Sequence, residues 1–283
     1  MCGIGGVSTR RPFQREEAVI AHRLLESLTR RGTDAWGYFD GERVHKEPGS
    51  FTDSAKYATL VDDLTRARTN LFLCHTRLAT KGDPSVNKNN HPFSLDTLTL
   101  AHNGILYRTD PFENKWTIET DSFWMLYWID QEYKRWHAMP QAIDEGVDHV
   151  SGSYAIWTHN RDDRTTYLFR MYHRLVETYF AQDRDIVVFG SDWLSLLDAL
   201  KVGGLRRHFR VLQPAIHPLP PGVIWAMKDG EMERDGKFRP QKMTLTDEAD
   251  FDRRYGHLYR YHVPFVTGAG ATPTPNHVRE GGP

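Results

Sequence analysis

The chain has 283 residues, enough for one large domain or two modest ones, and its 39% hydrophobic content with 8 Trp and 14 Phe can fill a substantial core. Lys+Arg 36 against Asp+Glu 37 leave a formal charge of -1, so no global field draws the chain to nucleic acid or to an anionic membrane surface. Two cysteines cannot build a disulfide framework, no apolar run approaches a membrane span, and the start lacks a basic region followed by an apolar stretch; the expected setting is cytoplasmic.

The chain opens Met1-Cys2-Gly3-Ile4-Gly5-Gly6. Removal of Met1 would leave a thiol and a free α-amine together on Cys2. An ordinary thiol, pKa about 8.5, is barely ionised at pH 7, and an α-amine of pKa about 7.7–8.0 is a base on the same residue. The glycines are read as letting a substrate approach the backbone beside Cys2. Residues 3–8, small and apolar, suit a buried strand. Ala21, Leu24, Leu25 and Leu28 then fall at the spacing of an amphipathic helix, with Gly32 as its stop. Asp40-Gly41 between Tyr38-Phe39 and Val44 signals a hairpin, and Leu60, Leu64 and Ala67 mark a second helix.

Residues 70–80 begin apolar and turn polar through Cys74-His75-Thr76-Arg77-Leu78-Ala79-Thr80. A strand that delivers His, Thr and Arg to its end usually ends in a site. A strand over 97–101 runs into His102-Asn103-Gly104, and Thr120 or Asp121 is placed to cap a broadly apolar helix over 122–136. Short strands follow over 154–158, 166–171 and 186–189. Ser191 is read as the cap of a helix carrying Leu194, Leu197 and Leu200, and Asp229-Gly230 as the turn after a last strand. Many strands with few intervening helices predict antiparallel sheets covered by helices, an α+β layering. The main domain is expected over 2–230, a C-terminal extension over 231–267, and a Gly/Pro/Thr-rich extended tail over 268–283.

Six pieces line up in order: Met1-Cys2-Gly3-Ile4, Arg31-Gly32-Thr33-Asp34-Ala35-Trp36-Gly37, His75-Thr76-Arg77-Leu78-Ala79-Thr80, Asn90-His91-Pro92, His102-Asn103-Gly104-Ile105 and Glu119-Thr120-Asp121. Together they resemble the class II glutamine amidotransferase domain, the N-terminal-nucleophile (Ntn) domain of glucosamine-6-phosphate synthase and glutamine phosphoribosylpyrophosphate amidotransferase. The resemblance covers roughly residues 2–230. It implies an α+β sandwich of two antiparallel sheets between helix layers, and hydrolysis of L-glutamine to glutamate and ammonia.

Glutamine hydrolysis needs a nucleophile, a proton carrier, oxyanion donors and a grip on the amino-acid head group. Cys2 and its α-amine supply the first two, through a γ-glutamyl thioester. Asn103 and the Gly104 N–H resemble the oxyanion pair. Arg77 can hold the α-carboxylate bidentately, and Asp121 can pair with the α-ammonium. By family analogy Thr80 lines the same pocket, while Arg31 and Gly32 support the nucleophile. No cofactor is implied. Relatives that make glucosamine-6-phosphate often carry Trp and then Ala-Thr-His where this chain has Leu78-Ala79-Thr80-Lys81. That removes a lid or gate, so coupling to a synthase is expected to differ.

Each motif also has a plain reading. Arg77 could be a buried ion-pair partner, Asp121 a helix cap, Asn103-Gly104 a type I′ turn and Arg31-Gly32 an ordinary helix end. His75, His91 and His102 with Cys74 match no compact zinc spacing. Two further readings of the whole are a catalytically inactive glutamine-binding scaffold and an Ntn amidohydrolase acting on another amide. Only about fifty residues follow position 230, too few for an ordinary synthase domain. The expectation is therefore a free-standing glutaminase that passes ammonia to a separate synthase partner amidating a nucleotide, modified base or sugar. Residues 253–261, basic and aromatic, are either a docking element or a helix packed on the core.

Overall fold

The computed structural model describes residues 2–109, 115–171, 174–181, 185–202 and 216–238. The expectations for Met1, for the docking element over 253–261 and for the tail lie outside these residues.

In chain order the elements are β1 (Gly3–Thr9), α1 (Arg15–Leu28), β2 (Ala35–Phe39), β3 (Val44–Pro48), α2 (Ala55–Ala67), β4 (Leu71–Arg77), β5 (Phe93–Leu95), β6 (Leu98–Arg108), α3 (Ser122–Trp136) and α4 (Met139–Gly146). Then come β7 (Val150–Asn160), β8 (Thr165–Arg170), β9 (Glu177–Ala181), β10 (Ile186–Gly190), α5 (Trp193–Val202), β11 (Ile216–Pro218), β12 (Val223–Lys228) and β13 (Glu231–Lys237). Among the described residues one sheet runs β11-β9-β10-β1-β4-β2-β3 and the other β13-β12-β8-β7-β6-β5, every neighbouring pair antiparallel. No helix among them is long and apolar enough to cross a membrane.

Side-chain alternation along the strands explains why the sheets stack. On β4, Phe72 and Cys74 join the core beneath α1, α2 and α5, while Leu71 and Leu73 point the other way. On β6, Leu98, Leu100 and Leu106 pack under α3 and α4, while Ala101 faces the opposite sheet. Ile4, Leu73, Ala101, Trp157 and Trp225 thus form a third core between the sheets. Helices over sheet over sheet over helices make a four-layer α+β sandwich.

Several local expectations change on inspection. Asn103-Gly104 is no turn: β6 runs straight through it, pairing Asn103 with Ala155 and Gly104 with Tyr154. Ser191 does not cap α5; its Oγ accepts from the Ile4 N–H at 2.7 Å and donates to the Ile4 carbonyl at 3.1 Å, pinning β1. Asp192 takes the capping role, accepting from the Ser195 N–H at 2.9 Å. Gly3 meets packing rather than substrate, since a Cβ there would lie 2.7 Å from Thr76 Oγ1 and 3.0 Å from Leu28. The second sheet also runs past residue 230, because β13 pairs along β12 from Glu231 to Lys237.

Candidate active site

Cys2 immediately precedes β1 and has the same parity as Ile4, which puts its side chain on the face turned toward the second sheet. Arg77, at the end of the neighbouring β4, shares that parity with Leu71 and Leu73, and Asn103 on β6 shares it with Ala101. Three residues far apart in the chain therefore point into the space between the sheets. The His75 ring meets the His102 carbonyl at 3.1 Å, which ties the β4 end to the β6 stretch carrying Asn103.

The Cys2 thiol is held by the chain that follows β4: the Leu78 N–H donates to Sγ at 3.4 Å, and Sγ lies 3.4 Å from the Leu78 carbonyl. Burial raises the thiol above its ordinary pKa, against the opposing pull of the Leu78 N–H and the Arg77 charge. It is therefore a neutral thiol at pH 7 and needs a base. Arg31 Nε donates to the Cys2 carbonyl at 2.9 Å, and Arg31 is itself 3.6 Å from Asp192. Gly32 sits in extended backbone, φ -173°, so it is not a left-handed helix stop. Its need is room: a Cβ would fall 2.3 Å from the Arg77 carbonyl carbon.

Arg77 is 2% exposed and takes no carboxylate partner among the described residues. Its Nη1 donates to Asn90 Oδ1 at 2.6 Å, and its Nη2 donates to the carbonyls of Lys81 and, at 2.9 Å, of Gly82. The carboxylates of Asp34, Asp121 and Asp83 act on it only through space, so the guanidinium's hydrogen bonds all go to neutral acceptors. Asp121 makes no side-chain capping bond on α3. Its Oδ2 accepts instead from the Leu106 N–H at 2.8 Å, leaving the carboxylate buried at the end of β6.

Asn103 is 2% exposed, and among the described residues its side-chain amide makes no hydrogen bond. Gly104 has φ +149°, and a Cβ there would lie 1.9 Å from the Ser153 carbonyl oxygen, so no other residue fits. A donor amide beside a glycine-only peptide suits a developing oxyanion. Behind this pair lie three buried imidazoles. His75 and His91 stack with centroids 3.9 Å apart, and His102 Nδ1 meets Ser122 Oγ at 2.9 Å. Burial pulls His75 down to about 3, His102 to about 4 and His91 well below the ordinary value, so all three are neutral at pH 7. Among the described residues no cluster of three or more His, Cys, Asp or Glu is placed to hold a metal ion.

Thr80 is exposed, in the loop just after Cys2's partner Leu78. Three supports escaped the sequence reading. Asp34 Oδ2 accepts from the Ala79 N–H at 2.8 Å while its own N–H donates to the Arg77 carbonyl at 3.0 Å, clamping the backbone that faces Cys2. Lys46 Nζ donates to the carbonyls of Asn90 at 2.7 Å and Pro92 at 3.2 Å, holding the loop that carries Arg77's partner. Arg174, beyond β8, is coupled electrostatically to Cys2, so its charge favours the thiolate when the proton leaves. Asp34 alone had a signal, as the acid in the 31–37 motif.

Residues 9–156 match the family described as class-II glutamine amidotransferases, a stretch that begins after Cys2 and includes Arg31, Arg77, Thr80, Asn103, Gly104 and Asp121. The chain is 31% identical over 168 residues to the glutamine–fructose-6-phosphate aminotransferase (isomerizing) of Caulobacter vibrioides, covering 55% of this chain and 26% of that protein. It is 29% identical over 178 residues to that of Oceanobacillus iheyensis, covering 59% and 28%. The chain thus spans little more than a quarter of the length of these curated relatives. In fold it is similar to glutamine phosphoribosylpyrophosphate amidotransferase from B. subtilis, with TM-score 0.55, 18% identity, and 83% and 49% of the two chains covered. With two antiparallel sheets between helices and a family match through the strands that carry the site, the chain belongs to the class II glutamine amidotransferases.

Proposed function

We propose that the protein hydrolyses L-glutamine to glutamate and ammonia through Cys2, with Met1 removed in the mature chain. The Cys2 thiol gives its proton to the α-amine of the same residue, and Sγ attacks the side-chain amide carbon. The tetrahedral oxyanion is met by the Asn103 side-chain N–H and the Gly104 N–H. Collapse breaks the C–N bond as the ammonium on Cys2 returns the proton to the leaving nitrogen, giving ammonia and a γ-glutamyl thioester. Water then attacks the thioester, the same amine taking and returning one proton, and releases glutamate with the thiol restored. Arg77 binds the α-carboxylate and Asp121 the α-ammonium; Thr80 lines the entrance, and Arg31 holds the Cys2 carbonyl in register.

The observation that carries this reading is the buried Arg77 guanidinium with only neutral partners, on the same inter-sheet face as Cys2 and Asn103. An amino-acid carboxylate supplies an anion to hydrogen-bond with it. The assay is production of glutamate and ammonia from L-glutamine in equal amounts. Cys2→Ala should abolish both, and full activity in that variant would refute the proposal.

We further infer that the ammonia passes to a separate synthase partner acting on a nucleotide, modified base or sugar. The family match supports release of ammonia, and the curated relatives, glutamine–fructose-6-phosphate aminotransferases by name, support a sugar as one class of acceptor. The amidotransferase unit is taken to run from residue 2 through β13, with the extension beyond it.

A further inference from the structure

Lys81 stands outside the roles assigned above, yet it joins the two ends of the head-group pocket. We propose that Lys81 is a positioning residue that fixes Arg77 and Asp121 at one separation, so that together they form a single receptor for the α-carboxylate and α-ammonium of glutamine. The inference rests on the reading of this pocket as a glutamine site.

The connection can be followed atom by atom. Arg77 Nη2 donates to the Lys81 carbonyl. Lys81 Nζ reaches across to β6 and donates to the Leu106 carbonyl at 3.4 Å. The N–H of the same residue, Leu106, donates to Asp121 Oδ2 at 2.8 Å. One side chain thus spans from the backbone that holds the carboxylate grip to the residue that holds the ammonium grip. Its ammonium is seated between two rings, 5.2 Å from the centroid of Tyr107 and 5.2 Å from that of Trp124. Both rings attract the ammonium through their negative faces, and the carbonyl bond adds direction. Tyr107 is 57% exposed, so the seat opens on solvent rather than on the core.

The chemistry explains why a cation is needed there. The loop carrying Lys81 has no apolar anchor between Leu78, itself 44% exposed, and Asn89. The backbone is pinned on either side, at Ala79 by Asp34 and at Asp83 by Glu119, so without the ammonium the Lys81 carbonyl loses its tie across to β6 and shifts as the acceptor of Arg77. The Asp121 carboxylate, fixed by Leu106, would stay where it is. The pocket would keep both charges and lose their spacing, which weakens binding of a zwitterion while leaving the thiol untouched.

The test uses the full chain and iodoacetamide, which alkylates Cys2 without needing a head-group pocket, with L-glutamine as protectant. Lys81→Met keeps the stem and removes the ammonium; Lys81→Arg keeps a cation able to sit between rings. For Lys81→Met the half-protecting glutamine concentration and KM should each rise about tenfold. Its unprotected alkylation rate and kcat should stay within about threefold of the parent chain, and Lys81→Arg should keep most of the protection. Three results would overturn the proposal: unchanged protection in Lys81→Met, equal loss in Lys81→Arg, or a parallel shift of unprotected alkylation and kcat that reports a loosened fold. Failure of glutamine to protect the parent chain would instead remove the glutamine reading itself.

Discussion

Truncating Asn103 to alanine removes a donor that the protein does not otherwise use. The side chain is buried, makes no hydrogen bond among the described residues, and hangs from a strand whose backbone ladder with Ala155 survives the change. No buried partner is orphaned, so the stability cost should stay below about 1 kcal/mol. In the transition state the amide meets the oxyanion, and loss of one such donor costs about 2.7–4 kcal/mol, or about 100- to 900-fold in kcat. KM for glutamine should hold, because the head group is gripped elsewhere by Arg77 and Asp121. The assay is glutamate release over a range of glutamine, with the melting temperature measured alongside. A fall in kcat of less than about tenfold, or a rise in KM alone, would refute the oxyanion role.

Ser191→Ala should loosen β1, the strand that follows the nucleophile: the Ile4 N–H loses its 2.7 Å acceptor, costing about 1–3 kcal/mol of stability and lowering kcat as β1 shifts, both read from melts and steady-state rates. Acidification should destabilise the fold. His75, His102 and His159 are held near 3, 4 and 3 by burial, below the unfolded value, so the unfolded chain binds more protons as pH falls under about 6.5. At pH 5.5 each costs between about 1 and 2 kcal/mol. Glu177, pushed up to about 7 by burial, works in the opposite sense and gives back about 2 kcal/mol over the same span. Denaturant melts should thus show a net loss of about 2–4 kcal/mol between pH 7.5 and pH 5.5, and equal stability would contradict the buried neutral imidazoles.

Much of this was legible in the sequence because periodicity and chemistry agreed. The apolar-to-polar run ending in Arg77 is a strand whose inward face carries first core and then site, as alternation requires. The spacing of Ala21, Leu24, Leu25 and Leu28 became the buried face of α1. What failed did so for tertiary reasons. Asn103-Gly104 has turn propensity, but eleven-residue pairing with β7 overrides it. Helix α4 went unread although Met139, Ala142, Ile143 and Gly146 keep helical spacing and Pro140 opens it. Ser191 and Asp192 compete for one cap, and only the position of β1 decides between them. Lys46 and Lys81 act through backbone carbonyls of distant segments, contacts that leave no pattern in a single chain.

The central claim is that the first sulfur of the chain, freed together with its amine, attacks glutamine. Intact and peptide mass measurement after treatment with an electrophile built on the glutamine skeleton tests it most directly. One adduct should form per chain, on Cys2, at an N-terminus lacking Met1, and excess L-glutamine should prevent it. Label at Cys74 or on any other side chain, or an active protein that retains Met1, would contradict the account.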